Sequence, residues 1–478
     1  MSLGNNMFQG MIWSAVERVS IQVVQFALGV VLARLLTPEE YGVFAILMIF
    51  LVISQVFVDS GFSKALIQKK NRTEDDISTV FLFNIVISLL AYFILWVSAP
   101  LISDFYNLPE LVLLLRILAL SLITNAIFTI TATLLTIELD FKSLTKINLA
   151  ATVISGAVAI YLAYDGYGVW ALVVQTLIRS VITGVFMWLI TRWKPNWVFS
   201  KKSFKQLFAY GSRLLISSLL GTTFSQINSI LIGKYIGARD LGYYSRGIQF
   251  SDVVFGIFNA SITNILLPGL SPIQNQHERL KKHVRTFVKA SSLITAPIFL
   301  GIAVMAEPII LVLLTDKWAM AIPIMQIFCV SRYLTVFSGI SVNFLYVIGR
   351  TDLTLRQQYL NIAVRVILLL SALQYGIFYI ALAELLTTII HFFTNAYFPG
   401  KIIKYGAIKQ LRDIAPTFIA SILMAAFVFG IMSFVKTDLM KLFVAPIAGA
   451  LVYWTIIRVL RLPEYFLIID KIKGLSKK

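Results

Sequence analysis

Six arginines sit inside long apolar stretches of this 478-residue sequence: Arg18, Arg116, Arg179, Arg246, Arg332 and Arg365. An arginine at the centre of a bilayer costs about 2.5–3.5 kcal/mol on insertion scales, so such a residue faces a wet cavity or a partner. Its guanidinium is a planar fork of N–H donors that matches phosphate or carboxylate oxygens. Acidic residues in the same stretches are fewer: Glu17, Asp59, Asp252 and Glu384. The balance is cationic, and the chemistry it fits is recognition of an anion.

Uncharged polar residues keep helical step with these charges. Arg18, Gln22, Gln25 and Gly29 share one face, as do Gln249, Asp252, Gly256, Asn259 and Thr263. A third face carries Arg332, Thr335, Gly339 and Asn343, and a fourth Glu384, Thr388, His391 and Asn395. The six arginines, with Gln22, Gln25, Gln249 and Asn343, are the candidate substrate-binding residues. Glu17, Asp59, Asp252, Glu384 and His391 are candidates for ion coupling. Simpler roles compete with these. Arg18 can pair with Glu17 or reach the interface, Arg246 can be an interfacial anchor, and Asp252 can pair with Arg246. Small hydroxyl residues can join helices without touching substrate, and a lone histidine such as His391 can simply be hydrogen-bonded in the bundle.

Other chemistry is poorly served. The histidines His277, His283 and His391 and the single cysteine Cys329 show no metal-ligand spacing, and one cysteine forms no internal disulfide. Phosphate loops, nucleophile elbows and dinucleotide fingerprints are missing from the sequence. Neither a cofactor nor a metal is expected. A polymerase or ligase would carry a large polar external loop, and the longest external connection here is between Glu307 and Ala321.

The elements that must position these residues follow from composition. The chain is 58% hydrophobic and 13% charged, with a mean hydropathy of +0.84. Apolar runs of about twenty residues recur throughout, each long enough to cross a bilayer as a helix. Fourteen spans are expected, near 9–33, 41–61, 78–103, 111–136, 144–164, 167–191, 206–233, 241–267, 284–306, 321–348, 357–376, 377–400, 413–435 and 442–460. The first ten residues carry no charged side chain, so the first span is expected to stay as a signal anchor. Lysine and arginine favour the loops after even-numbered spans, with the C-terminal tail, by about four to one, which places both termini in the cytoplasm. That bias accounts for most of the net charge of +18 without nucleic acid.

The chain also repeats itself. "LARLLTPEEYG" begins at Leu32 and "LIGKYIGARDLG" at Leu231; at an offset of 200 residues Glu40 meets Asp240 and Gly42 meets Gly242. Pro100 matches Pro308, and "YGVWAL" at 167–172 matches "YGIFYI" at 375–380. Spans 1–6 recur as spans 7–12 in the same orientation, a parallel repeat of the kind that places substrate between halves. The expectation is an all-α polytopic membrane protein of fourteen transmembrane helices: an N-lobe at 1–200, a C-lobe at 201–408, two additional helices at 409–462 and a basic tail at 463–478. In the break itself, Thr37 is expected to cap the next helix, Pro38 to open it and Glu40 to complete a capping box.

"LARLLTPEEYG", "SGFSKALIQKK", "LDFKSL" and "YGVWALVVQ", followed by "LIGKYIGARDLGYYSR", "LPGLSPIQ", "TDKW" and "IGRTD", carry a resemblance over nearly the whole chain. The sequence resembles the Wzx-type polysaccharide flippases of the multidrug/oligosaccharidyl-lipid/polysaccharide exporter superfamily, in the subgroup of colanic acid and teichuronic acid exporters. The resemblance implies a V-shaped cavity between two lobes and movement of undecaprenyl-pyrophosphate-linked oligosaccharide from the inner to the outer leaflet of the bacterial inner membrane. It implies a polysaccharide polymerase and chain-length machinery as partners. A small-molecule multidrug exporter of the same superfamily is the alternative, although its cationic drugs would call for a carboxylate-rich cavity. Two positions depart from the family pattern. Asn228 stands near the place of an acidic residue before "LIGK", and Thr315 stands where glycine is expected before "DKW".

Overall fold

The computed structural model describes residues 20–59, 61–69, 71–460 and 465. Every regular element among them is helical. In chain order they are α1 (Ser20–Leu35), α2 (Pro38–Asp59), α3 (Phe62–Gln68), α4 (Glu74–Tyr106), α5 (Leu111–Leu118), α6 (Leu120–Ile137), α7 (Phe141–Tyr164), α8 (Val169–Thr191) and α9 (Lys201–Tyr235). There follow α10 (Ala238–Leu270), α11 (His277–Val304), α12 (Ala306–Leu314), α13 (Ala321–Val347), α14 (Thr351–Ala372), α15 (Ile377–Ile402), α16 (Ala407–Phe434) and α17 (Asp438–Val459). Twelve helical segments of the described residues are long and apolar enough to cross a membrane. The two further expected spans fall on α1, a shorter apolar helix as described from Ser20, and on α9, whose 35 residues are markedly less apolar.

Packing divides the chain into two compact units, Met1–Gly242 and Tyr243–Lys478. In the first, α8 packs on α6 and α7, α4 on α6, and α9 on α2, α3 and α4. The α9 contacts explain why this unit ends past the seventh span. The capping box expected at the first break is present: Thr37 N donates to Glu40 Oε2 (2.6 Å) and Glu40 N to Thr37 Oγ1 (3.3 Å). A second box starts α4, where Thr73 caps Asp76 and three acidic residues in the first turn face the positive end of the helix dipole.

The repeated break has a steric partner in the same unit. A Cβ on Gly42 would lie 1.6 Å from the Ala238 carbonyl oxygen, and one on Gly242 would lie 1.8 Å from that of Pro38. Residues 38 and 238, like 42 and 242, stand 200 apart, so the starts of α2 and α10 meet backbone to backbone in a reciprocal contact. Only glycine permits that approach.

In the second unit, α13 packs on α15 and α11, α14 on α15, and α16 on α11 and α17. The α16 and α17 contacts are partly polar. Arg285 on α11 makes a two-pronged bond to Asp413 on α16 (2.6 and 2.7 Å), and Tyr453 on α17 donates to the Leu293 carbonyl (2.8 Å). Cys329 lies buried in mid-helix α13, as expected.

Thr315 gives the departure from glycine a physical meaning. It adopts φ 82° and ψ 170°, a region that is essentially reserved for glycine and costs an L side chain about 1–3 kcal/mol. The wholly buried Trp318 three residues on fixes the turn. Thr315→Gly is therefore expected to stabilise the protein by about 1 kcal/mol or more. Thermal unfolding in detergent checks this; a lower melting temperature for the glycine variant would refute the strain argument.

Candidate functional site

In the first unit the central group is Arg179 on α8. With its oxygen turned toward α8, the Gln25 amide on α1 accepts from both terminal guanidinium nitrogens of Arg179, at 2.5 and 3.0 Å. Among the described residues Arg179 makes no ion pair; the neutral amide positions the cation and leaves its charge uncancelled. Gln22 lies one helical turn before Gln25. Glu17 and Arg18 fall outside the described residues.

A second polar chain runs from the neighbouring residue of α8. Ser180 Oγ donates to Asn125 Oδ1 (2.5 Å), Asn125 Nδ2 to Gln55 Oε1 (3.2 Å), and Gln55 Nε2 to Asp59 Oδ1 (3.0 Å). Thr124 joins Ser180 at 2.6 Å. Of this chain the sequence reading named Asp59 alone. The available signal was Gln55 four residues before Asp59, on one face of α2. Arg116 is engaged elsewhere: its guanidinium lies 4.1 Å from the centroid of the Trp96 ring, and its Nε donates to the Trp96 carbonyl (3.3 Å). This cation–π stack fits a snorkelling residue as well as a binding one.

In the second unit two of the three candidate arginines, Arg332 and Arg365, have carboxylate partners. Arg332 on α13 bonds Asp252 on α10 at 2.5 Å, with Phe255 and Phe328 on the guanidinium at 5.3 and 5.5 Å. Asp252 thus takes a partner from another helix rather than Arg246, the same-helix pairing considered from sequence. Arg246 donates to Gln249, one turn along α10. Asn343 is buried and bonds back to the Gly339 carbonyl of its own helix (2.9 Å).

Arg365 on α14 bonds Glu384 on α15 at 2.6 Å. Along the same seam His391 Nε2 meets the Asn361 carbonyl (2.9 Å), and Thr394 Oγ1 donates to Asn361 Oδ1 (2.6 Å). Asn361 donates to Asn395 Oδ1 (3.1 Å), and Gln357 to the carbonyls of Thr394 and Asn395. Gln357, Asn361 and Arg365 form an i, i+4, i+8 stripe on α14 that faces Glu384, His391 and Asn395 on α15. The structure therefore sets the Arg365–Glu384 pair and a hydrogen-bonded cluster of His391, Asn361, Asn395 and Gln357 along one α14–α15 seam. Gln357 is its unforeseen member.

At the other end of the first unit, the loops around Thr37, Glu110 and Gly166 enclose a cavity of about 590 Å³, lined by Glu39, Glu40, Glu110, Tyr167 and Trp170 among others. Burial, together with the charges of Glu39 and Glu40, holds the Glu110 carboxyl above the usual carboxylate range. Three residues of the first break and four of "YGVWAL" thus meet in one place.

The family described as polysaccharide biosynthesis protein matches residues 31–323. The teichuronic acid biosynthesis protein TuaB of Bacillus subtilis (strain 168) is 26% identical over 459 residues, 95% of each chain. The lipopolysaccharide biosynthesis protein WzxC of Escherichia coli (strain K12) is 23% identical over 338 residues, 69% of this chain and 68% of that one. Among solved structures, the lipid II flippase MurJ in an inward closed conformation superposes with a TM-score of 0.75 at 17% identity, covering 95% of this chain and 100% of the other. That likeness establishes the fold: an all-helical, multi-pass membrane protein.

The seam yields a stability prediction. Glu384→Gln leaves the Arg365 charge without its carboxylate and is expected to destabilise the protein by on the order of 3 kcal/mol. The double variant Arg365→Met/Glu384→Met removes both charges and should recover more than half of that loss. Unfolding in detergent measures both; a Glu384→Gln protein as stable as the parent would show that the pair is not a coupled unit.

Proposed function

We propose a function that proceeds from one premise: this chain belongs to the polysaccharide biosynthesis protein family. It moves undecaprenyl-pyrophosphate-linked oligosaccharide from the inner to the outer leaflet of a bacterial inner membrane, as a transporter and not as an enzyme. The observation that carries the reading is Arg179, a cation held in a membrane-spanning helix by Gln25 without a carboxylate partner among the described residues. A fixed, uncancelled guanidinium is suited to a pyrophosphate, which offers several anionic oxygens at once. The names of TuaB and WzxC, teichuronic acid and lipopolysaccharide biosynthesis, agree with a glycan cargo.

In this reading fourteen helices form two six-helix lobes, 1–200 and 201–408, related by the parallel repeat, with 409–462 as two additional helices and both termini cytoplasmic. The 200-residue register between the starts of α2 and α10 supports the repeat. Transport proceeds by alternating access through a cationic passage between the lobes. The pyrophosphate engages arginine, the sugars travel along polar faces, and the lipid tail stays in the bilayer. The Arg332–Asp252 and Arg365–Glu384 pairs serve as groups whose partners change during the cycle, with His391 and Glu384 as ion-coupling groups. A polymerase and chain-length machinery receive the flipped unit.

A deletion strain is expected to accumulate undecaprenyl-linked repeat units on the cytoplasmic side and to lose surface polysaccharide. Arg179→Ala should reproduce that phenotype, with export reduced at least about tenfold if the arginine contributes 1.4 kcal/mol or more to passage, while the protein still inserts. Glycan analysis of lipid extracts and cell surface measures both. Normal export from Arg179→Ala would remove Arg179 from the site; a deletion strain with neither accumulated intermediate nor lost polysaccharide would overturn the function.

A further inference from the structure

The segment from Arg192 to Phe208 joins α8 to the first two turns of α9, and one side of it is fastened to the first unit. Trp193 Nε1 donates to Glu74 Oε2 (3.3 Å), Asn196 N to Ser78 Oγ (3.4 Å), and Ser200 N to Thr79 Oγ1 (3.0 Å). Ser200 Oγ then caps Ser203 N (3.3 Å) to start α9. Rings reinforce the polar ties: Trp193 meets Phe81 edge-on at 5.3 Å, and Phe204 lies among Phe62 and Phe83 at 5.9 and 5.4 Å. Ser203 and Leu207 are buried on this side.

The opposite side is of another character. Arg192, Lys194, Lys201, Lys202 and Lys205 are all exposed, and none of their side chains makes an ion pair or hydrogen bond among the described residues. Interleaved with them, Trp197, Phe199 and Phe208 are 70%, 48% and 43% exposed. Trp197 sits at φ 52°, a left-handed backbone that is a genuine outlier for a bulky side chain. Such strain persists only where the surroundings over-determine it, and it concentrates at functional places. Here the ties at residues 193, 196 and 200 hold the strained turn, and the indole of Trp197 rests one edge on Phe81 at 6.0 Å while most of its surface stays exposed.

We propose that residues 192–208 form a preformed docking platform for the headgroups of anionic phospholipids in the adjacent leaflet. Five unpaired cations beside a membrane-spanning helix supply attraction to an anionic surface. Aromatic rings between them occupy the headgroup level, where one face is apolar and the other wet. A charge bias that only orients the chain during insertion requires positive residues in the loop but no fixed geometry. The clasp on α4 and the exposed Trp197 are what that simpler account leaves unexplained. The platform is separate from Arg179 and does not depend on what the protein transports.

The test uses the full chain in vesicles of phosphatidylglycerol and phosphatidylethanolamine, free of any lipid-linked sugar. A fluorophore is attached through Val198→Cys; the native Cys329 is buried. Bromine atoms on a lipid quench the fluorophore by contact. Brominated phosphatidylglycerol is expected to quench at least about twofold more than brominated phosphatidylethanolamine at equal mole fraction, and about 0.5 M salt should erase much of the difference by screening. Lys194→Gln/Lys201→Gln/Lys202→Gln/Lys205→Gln, which touches only exposed side chains, should bring the two lipids to equal quenching. Equal quenching in the protein with its lysines intact would overturn the proposal, as would a preference for phosphatidylglycerol that survives the four substitutions.

Discussion

Hydrocarbon offers no water, so each polar group placed in it must find its partner within the chain. That constraint runs through much of the structure, with Asn84 on α4, wholly buried and bonded through neither amide atom, an exception among the described residues. It makes the spans helical, since a helix satisfies its own backbone. It turns hydroxyl side chains back onto their own helices, as when Thr129 donates to the Asn125 carbonyl (2.7 Å) and Thr152 to that of Asn148 (2.7 Å). It also assembles longer side chains into connected lines, such as Ser180–Asn125–Gln55–Asp59 in the first unit and the Gln357-to-His391 cluster in the second. A line of this sort is stable because every member closes a bond that lipid could not supply.

Charge answers the same constraint in two ways. Arg332 and Arg365 receive carboxylates, Asp252 and Glu384, and each pair leaves almost no net charge for a ligand. Arg179 receives an amide. Gln25 accepts two hydrogen bonds from it, which fixes the fork in place, but a neutral acceptor subtracts nothing from the cation. The arrangement separates the positioning of a charge from its neutralisation. It concentrates the cationic excess seen in the sequence on fewer groups than a count of arginines implies, and it sets Arg179 apart from the two arginines paired with carboxylates.

Much of the fold was legible because apolar length and the turn signals between spans are local properties. The Thr37–Glu40 box and the buried Cys329 follow from the residues at those positions. The strain at Thr315 was not legible in this way: the resemblance marked the position as one where glycine is expected, and the backbone at φ 82° supplied the reason. The partners of the polar residues were less legible. Asp252 has Arg246 near it in sequence, yet its bond goes to Arg332, 80 residues away, because α10 and α13 are neighbours in space. Gln55 and Asn125 carry no charge, so nothing in composition distinguishes them from glutamines and asparagines at helix ends. Pairing is a tertiary property, and helical spacing gives the face of each helix but not the helix opposite.

The two copies of the break illustrate what a repeat preserves. Their register is 200 residues at Pro38 and Gly42, and it has drifted to 208 by Pro100 and Pro308. Loops absorb inserted residues at little cost, so the offset between matching motifs can drift along the chain. Inside the break the step from residue 38 to 42 equals that from 238 to 242, and this local spacing has a steric reason. Gly42 packs against the Ala238 carbonyl and Gly242 against that of Pro38, and a Cβ at either glycine would stand under 2 Å from a backbone oxygen. A residue added on one side would replace a glycine in that contact with a side chain and unseat both helix starts together. The polar, proline-bearing turn is therefore legible as a motif twice over because its capping residues and its glycines serve one contact. What the contact constrains is the spacing within each break, where two backbones meet, and not the number of residues between them.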